Sequence, residues 1–260
     1  MAKLLTADDS AAFEILNPTA ASNLIFVADH ASNKVPLALN NLGLPQAELD
    51  RHIGIDIGSA WIAAYLTARF DALAVCAGFS RLVIDLNRQP TAPSSIPDIS
   101  DGTYVPGNKD LTSADRQARV DEIFWPYHAA IETAMTAVEK RGQTAILISL
   151  HSFTPVINGH KRPWDIGFLY DQDARLSQHM ITTMQQDGDI FVGENQPYSG
   201  KDPQGFTVNH HSERPHRPSL VVEFRQDLVA TQITAEAWAD RFANAVEKSL
   251  AAAALSDNCS

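Results

Sequence analysis

Cysteine is nearly absent: 260 residues contain two, Cys76 and the next-to-last residue Cys259. A disulfide framework is therefore not expected, and the cytoplasm is the expected compartment. No CxxC pair occurs, so any metal site has to be built from histidine and carboxylate rather than thiolate. Basic charge is also short. Twenty Lys and Arg stand against 31 Asp and Glu, a net charge of −11. That deficit speaks against a nucleic-acid or anionic-membrane partner, because both require a basic footprint. No apolar run approaches the roughly 18 residues of a membrane span. The first 22 residues carry one Lys and three acids, without the basic-then-apolar order of a secretory signal. GxSxG, HExxH and a glycine-rich phosphate loop are missing as well. Serine-hydrolase and nucleotide-binding readings lose their support with them.

What is present is ordinary globular composition, 45% hydrophobic and 20% charged. The pattern predicts one domain over residues 1–260, without repeats or long linkers. Strands are expected at Asn23–Asp29, Leu73–Ala77, Arg81–Asp85, Thr144–Leu150, Asp165–Tyr170, Asp189–Val192 and Ser219–Phe224, from short apolar, β-branched runs. Helices are expected at Asp56–Phe70, at Ser113–Lys140 with a break near Pro126, at Ala174–Gln186 and at Thr234–Leu255. Residues 89–110, rich in Pro, Gly and Ser, read as a long loop of the kind that lines binding sites. Strands alternating with helices define an α/β fold with a mostly parallel sheet covered on both faces.

In such sheets ligands bind beyond the carboxyl ends of the strands. Asp29-His30-Ala-Ser-Asn33 follows one apolar strand, and His151-Ser152 another. Neutral imidazoles at strand ends are common zinc ligands, and a catalytic zinc usually has three protein ligands. His30 and His151 are the candidates, with Asp56 or Asn33 as the third; Asp56 is preferred because a neutral amide is a poor zinc ligand. Asp29 is placed to orient His30 from behind. Glu223 sits inside the apolar run SLVVEF, where burial raises a carboxyl pKa toward the range of a general base. Its structural alternative is an ion pair with Arg225, two residues on and on the same strand face. Asn87-Arg88 offers an amide and a guanidinium fork that suit a carboxylate. Asp85 is a candidate partner for Arg88 or Arg81. Tyr198, in the turn Asn195–Gly200, is a candidate donor to substrate. His210 and His211 are read as neighbours on a strand, so at most one points inward. His52, His128, His160, His179 and His216 are read as non-ligands, and Cys76 as an inert core residue.

Taken in order, the motifs Asp29-His30-Ala-Ser-Asn33, His52-Ile-Gly-Ile-Asp56-Ile-Gly58, Ser80-Arg-Leu-Val-Ile-Asp-Leu-Asn87-Arg88, Leu150-His151-Ser-Phe153, Asn195-Gln-Pro-Tyr198-Ser-Gly200 and Val222-Glu223-Phe-Arg225-Gln-Asp-Leu228 resemble the N-formylglutamate amidohydrolase family over residues 23–230. The resemblance implies a three-layer α/β/α fold like that of zinc carboxypeptidases. It implies one Zn²⁺ and hydrolysis of a small anionic N-acyl amino acid such as N-formylglutamate. Carried over by position, it puts His30 and His151 on the metal, Asn87 and Arg88 on the substrate carboxylate, and Glu223 as base. The carboxypeptidase pattern HxxE appears here as His30-x-x-Asn33, and Asn33 is counted with Asn87, Arg88, Tyr198 and Arg225 among the substrate-contact candidates. The alternatives are a carboxypeptidase or another N-acyl amino acid deacylase with the same chemistry, and a non-catalytic relative that binds acidic ligands.

Overall fold

A computed structural model describes residues 3–201 and 205–253. Seven strands form one mixed sheet: β1 (Phe13–Leu16), β2 (Leu24–Ala28), β3 (Leu73–Ala77), β4 (Ile146–Phe153), β5 (Ile166–Leu169), β6 (Val192–Glu194) and β7 (Ser219–Arg225). Their order is β1-β3-β2-β4-β7-β5-β6. The pairs β3/β2, β2/β4, β4/β7 and β5/β6 are parallel, while β1/β3 and β7/β5 are antiparallel. The sheet is thus mostly parallel, as the alternation of elements predicts.

Five longer helices accompany it: α1 (Ser59–Phe70), α2 (Ser113–Arg119), α3 (Trp125–Lys140), α4 (Arg175–Gln185) and α5 (Gln232–Ala252). Side chains alternate across each strand, and the two faces take different partners. Phe26, Ile148, Leu150, Phe168, Val222 and Phe224 pack on α1, α4 and α5 through residues such as Ile62, Leu176 and Phe242. The Phe224 and Phe242 rings meet edge to face, 5.5 Å between centroids. Each such side chain, fully buried, contributes roughly 1.5–3 kcal/mol. On the other face Ile25, Val27, Val75 and Leu147 pack under α3 through Phe124, Tyr127, Ile131 and Met135. The result is the three-layer α/β/α arrangement. Helix α3 covers only the β3-β2-β4 half of its face. Over β7 and β5 that face is roofed by the irregular stretches near residues 195–201 and 205–213, which leave a cavity between themselves and the sheet.

Several elements depart from the expected outline. Arg81–Asp85 forms turns rather than a strand. Its Leu82, Val83 and Ile84 are apolar because they are buried beneath the loop, not because they pair. Their backbone is satisfied by side chains instead: Asn108 donates to the Leu82 carbonyl (2.8 Å) and Arg119 to that of Val83 (2.8 Å). The break in the long helix is a π-helical turn over Val120–Phe124, just before Pro126, whose missing N–H cannot continue the ladder. The strand expected at Asp189–Val192 begins only at Val192. His210 and His211 lie in a second π-helical turn, Asn209–Glu213, so strand alternation does not apply to them. β1, a half-exposed edge strand, was not foreseen. The predicted end of the last helix at residues 254 and 255 lies outside the described residues, as does Cys259. Cys76 is a buried free thiol whose pKa burial pushes up to about 12, in keeping with an inert core residue. Among the described residues no helix is long and apolar enough to cross a membrane.

Candidate active site

β2 ends at Ala28, and the chain leaves the sheet through Asp29 and His30, both buried. The His30 carbonyl accepts the Asp56 backbone N–H (3.0 Å), which ties the approach to α1 against the end of β2. Gly58, at the cap of α1, has φ +86°, and a Cβ there would meet the Val229 carbonyl at 2.6 Å. Glycine is required at that turn. The Ser59 hydroxyl donates to the Asp56 carbonyl (2.8 Å) and completes it. β4 supplies His151, two residues after Ser149 on the same face, and β7 supplies Glu223, beside His151 in the parallel ladder.

Three side chains converge. Asp56 Oδ2 lies 3.2 Å from His30 Nδ1 and 3.0 Å from His151 Nδ1. The outer nitrogens face other groups. His30 Nε2 is 2.9 Å from Asp85 Oδ1, and His151 Nε2 is 3.0 Å from the Ser149 hydroxyl and 3.4 Å from Asp29 Oδ2. Behind them Arg81 donates to Asp56 Oδ1 (3.2 Å) and Asp85 Oδ2 (2.7 Å), and the Tyr127 hydroxyl donates to Asp29 Oδ1 (2.7 Å). Burial and the adjacent Asp29 push the Tyr127 pKa well up, so it remains a donor.

This donor set fits a divalent cation. His30, Asp56 and His151 offer ligand atoms that all lie within 4.8 Å of one another, and all three residues are buried. With Nε2 protonated toward Asp85 and toward Ser149 and Asp29, each imidazole turns an Nδ1 lone pair on the Asp56 carboxylate. Lone pairs and a carboxylate oxygen cannot face one another without a positive charge between them. Three carboxylates (Asp29, Asp56, Asp85) against one guanidinium (Arg81) leave two negative charges to balance. One divalent ion with two neutral imidazoles supplies them, and so do two extra protons on the rings.

The protonation tendencies show the same demand. Burial pulls the His30 pKa down and Arg81 adds to that, yet Asp85 and Asp56 raise it overall. Burial likewise lowers His151, but Asp29 and Asp56 lift it well above its ordinary value. Groups whose folded pKa is raised stabilise the fold fully below the unfolded value of 6.5 and lose that contribution as pH rises through the folded value. The metal-free protein should therefore lose thermal stability as pH climbs above 6.5, and a divalent cation that binds here, zinc for instance, should restore it. Each pKa unit corresponds to about 1.4 kcal/mol, or roughly 2–4 °C in a chain of this size. Melting curves at several pH values, with and without zinc, test this; a metal-free midpoint that does not fall above pH 6.5 contradicts it.

The cluster opens into a cavity of about 1030 Å³, its solvent-open mouth included. Glu223 lines it, 6% exposed, with Oε2 unpartnered. Burial, opposed by His151 and reinforced by Asp56, pushes its pKa up to about 7. Arg88 lines the cavity without a carboxylate partner among the described residues; its Nη1 donates to the Asn87 carbonyl (3.2 Å). Asn87 is also on the wall, but its amide oxygen accepts the Thr207 N–H (3.0 Å), so half of that side chain holds the roof. Tyr198 lines the wall too, its oxygen accepting from Arg162 (3.0 Å).

Asn33 and Arg225 are placed elsewhere. Asn33 bonds Asp50 (2.7 Å) at the surface, because the chain turns outward after His30; the structure brings Asp56, not Asn33, to the histidines. Arg225 is held by Asp165 (2.9 Å) and Asp227 (2.7 Å), so the alternative pair with Glu223 does not form, and Arg225 is not among the residues that line the cavity. Asp85 serves Arg81 rather than Arg88 and, beyond expectation, His30. Asp29 backs His151, not the adjacent His30. Ser149 and Tyr127 were not foreseen. Ser149 was detectable as the residue two before His151, but Tyr127 reaches Asp29 across 98 positions, with no sequence signal.

Fold and site together define a three-layer α/β/α protein with a buried His-Asp-His centre at the carboxyl edge of its sheet. Residues 22–230 match the family model described as N-formylglutamate amidohydrolase, and the chain belongs to that family; it is a hydrolase of amide bonds. Among solved structures, the gene product Atu2144 from Agrobacterium tumefaciens is 31% identical, with a TM-score of 0.93 over 96% of this chain and 99% of that one. The N-formylglutamate amidohydrolase from Ralstonia eutropha JMP134 shares the fold at 21% identity and a TM-score of 0.63, over 90% and 98% of the two chains. No curated protein matches the sequence.

Proposed function

We propose that this amidohydrolase is zinc-dependent and cleaves the acyl amide of N-formyl or other N-acyl amino acids, compounds of the N-formylglutamate type, in the cytoplasm. The observation that carries the reading is the convergence of His30, Asp56 and His151 beside an unpartnered, buried Glu223. His30, Asp56 and His151 would hold the ion, and Asp85, Asp29 and Ser149 fix the two rings from behind. When bound, a zinc ion supplies Lewis-acid activation of water and of the acyl carbonyl.

The chain's own groups do the rest. Glu223, with a pKa near neutrality, takes the proton of the attacking water and hands it to the leaving nitrogen. Arg88 has donors to spare for the substrate carboxylate, which it fixes relative to Glu223. The Tyr198 oxygen already accepts from Arg162, so its own hydrogen is left to donate to the developing oxyanion. Because the mean charge is negative, Arg88 and a cation at the histidines form the local positive site that an anionic substrate needs. Nucleic-acid and membrane partners are not part of this reading.

The test is release of formate and free amino acid from a panel of N-formyl and N-acetyl amino acids. Zinc-loaded protein is expected to be active, and chelator-treated protein inactive until zinc is returned. Full activity after verified metal removal would refute zinc dependence. Cleavage of peptides but not of acyl amino acids would favour a carboxypeptidase instead.

A further inference from the structure

One buried cation near the site has no acid beside it. β4 ends at Phe153, two residues after His151, and the chain then turns through a small hairpin, Val156–Ile157 paired with His160–Lys161. Arg162 follows, its N–H donating to the Pro155 carbonyl (2.8 Å). Its side chain is 9% exposed. The guanidinium carbon lies 5.9 Å from the Phe153 ring centroid and 4.8 Å from that of Tyr198. Nη1 donates to the Tyr198 oxygen (3.0 Å) and, at 3.4 Å, to the Thr154 carbonyl. No carboxylate of the described residues forms an ion pair with it.

Other guanidiniums withdrawn from water are provided for. Arg81, Arg217 and Arg225 are each held by two carboxylates. Arg119 fills its donors with two carbonyls and the Asn108 amide oxygen. A buried charge is costly unless it is paired. Two aromatic faces offset part of that cost for Arg162, but they supply no counter-ion. Of the two groups it donates to, Tyr198 is the one on the cavity wall. The turn that carries Tyr198 is itself fixed. Asn195 Oδ1 accepts the N–H groups of Tyr170 (3.1 Å) and Gly200 (3.0 Å), and a Cβ at Gly167 on β5 would overlap the Gln196 carbonyl. The phenol oxygen is near enough to Glu223 and Arg81 to respond to both charges. Burial and Glu223 raise its pKa against the opposing effects of Arg162 and Arg81, so the hydroxyl keeps its proton. With Arg162 donating to the oxygen, that proton is turned away from Arg162. Donation from a cation also polarises the O–H and makes it a stronger donor.

We propose that Arg162 is a positioning residue for the hydrolysis: it orients and polarises the Tyr198 hydroxyl, and through it supplies positive charge to the oxyanion. This rests on the amidohydrolase reading above and adds to it the residue behind the donor. As the water oxygen bonds to the acyl carbon, the carbonyl π pair moves onto its oxygen. The charge is lost again when the C–N bond breaks and the nitrogen takes the proton from Glu223. Arg162 transfers nothing; it is a cation held in place before the anion forms. The substrate carbonyl is neutral, so the interaction is stronger in the transition state than in the bound substrate. It therefore acts on kcat rather than on KM.

The experiment measures kcat and KM of the zinc-loaded wild type, Arg162→Ala, Tyr198→Phe and the double variant with N-formyl-L-glutamate and N-formyl-L-norleucine. Arg162→Ala should lower kcat about tenfold or more for both compounds, toward the loss of about 10²–10³ seen when an oxyanion donor is removed. KM should stay within about twofold. Without the Tyr198 oxygen most of that effect should vanish, so the double variant is expected within about threefold of Tyr198→Phe. Added guanidinium, far below denaturing concentrations, should restore part of kcat to Arg162→Ala but not to the double variant. Calorimetry gives a readout apart from turnover. The probe is the phosphinic acid analogue of N-formyl-L-glutamate, with phosphorus for the acyl carbon and CH₂ for the nitrogen. Arg162→Ala should weaken its binding by the same factor as kcat and leave binding of free glutamate unchanged. Should Arg162→Ala not fold, Arg162→Met, which keeps the stem between the two rings, takes its place. Additive losses in the double variant, or an unchanged kcat in a folded Arg162 variant, overturn the proposal. So does a KM increase confined to the glutamate compound, which would make Arg162 a direct holder of the side-chain carboxylate. If wild type cleaves neither compound, the reaction assignment fails and this proposal with it. Cleavage by wild type with kcat unmoved in the variants overturns the role of Arg162 alone.

Discussion

Glu223→Gln is expected to lower turnover by about 10²–10⁴, the usual contribution of a positioned general base, while zinc content stays at the wild-type level. The two outcomes separate because Glu223 is not one of the three converging ligand residues. Glutamine preserves shape and one carbonyl oxygen but cannot take a proton at neutral pH. The pH profile supplies a further check. A base must be ionised to act, so wild-type kcat/KM should rise as pH climbs through the Glu223 pKa, pushed up to about 7 by burial. That acid limb should disappear in the residual activity of the variant. Steady-state kinetics with metal analysis tests all three points, and near-wild-type turnover would remove Glu223 from the chemistry.

Asp56→Ala is expected to weaken zinc binding by about 10² or more and to abolish activity with it. Asp56 Oδ2 is the atom on which both Nδ1 nitrogens converge. Its loss also removes one of the two carboxylates that hold Arg81, leaving Asp85 alone. Asp85→Asn leaves the three converging ligand residues in place but removes the charge behind His30 and beside Arg81, and should cost less, about 10–100-fold in affinity. Asn33→Ala, at the surface against Asp50, should change neither zinc content nor affinity. Competition titration with a chelating dye gives the order, and circular dichroism shows that the variants are folded. Equal zinc affinity in Asp56→Ala and wild type would place the ion elsewhere.

Much of this site can be read in the chain because strand ends are local features. Asp29-His30 after LIFVA and His151 after AILISL are each signalled by an apolar run that stops at a polar, ligating residue. Glu223 is signalled by the opposite contrast, a carboxylate inside an apolar run. Arg81 and Asp85 are harder to read, since an apolar triplet between charges looks like a strand when its burial comes from a covering loop. His210 and His211 mislead for a related reason: a pair of adjacent residues carries no period, so strand and helical turn cannot be told apart.

By itself the sequence determined the alternation of strands and helices, the apolar face of each element, and the edge of the sheet at which polar groups accumulate. Those properties follow from periodicity and from the cost of burying unpaired polar groups. The scarcity of cysteine and of basic charge also fixed the kind of site: histidine and carboxylate within an acidic protein. Only the tertiary structure decided which carboxylate joins the two histidines, which nitrogen of each ring faces it, and which guanidinium on the cavity wall has no carboxylate partner among the described residues. These are contacts between residues tens of positions apart, 26 between His30 and Asp56 and 95 between Asp56 and His151. Chain closure over such distances leaves no local pattern, so they exist only once the sheet has set its strand order.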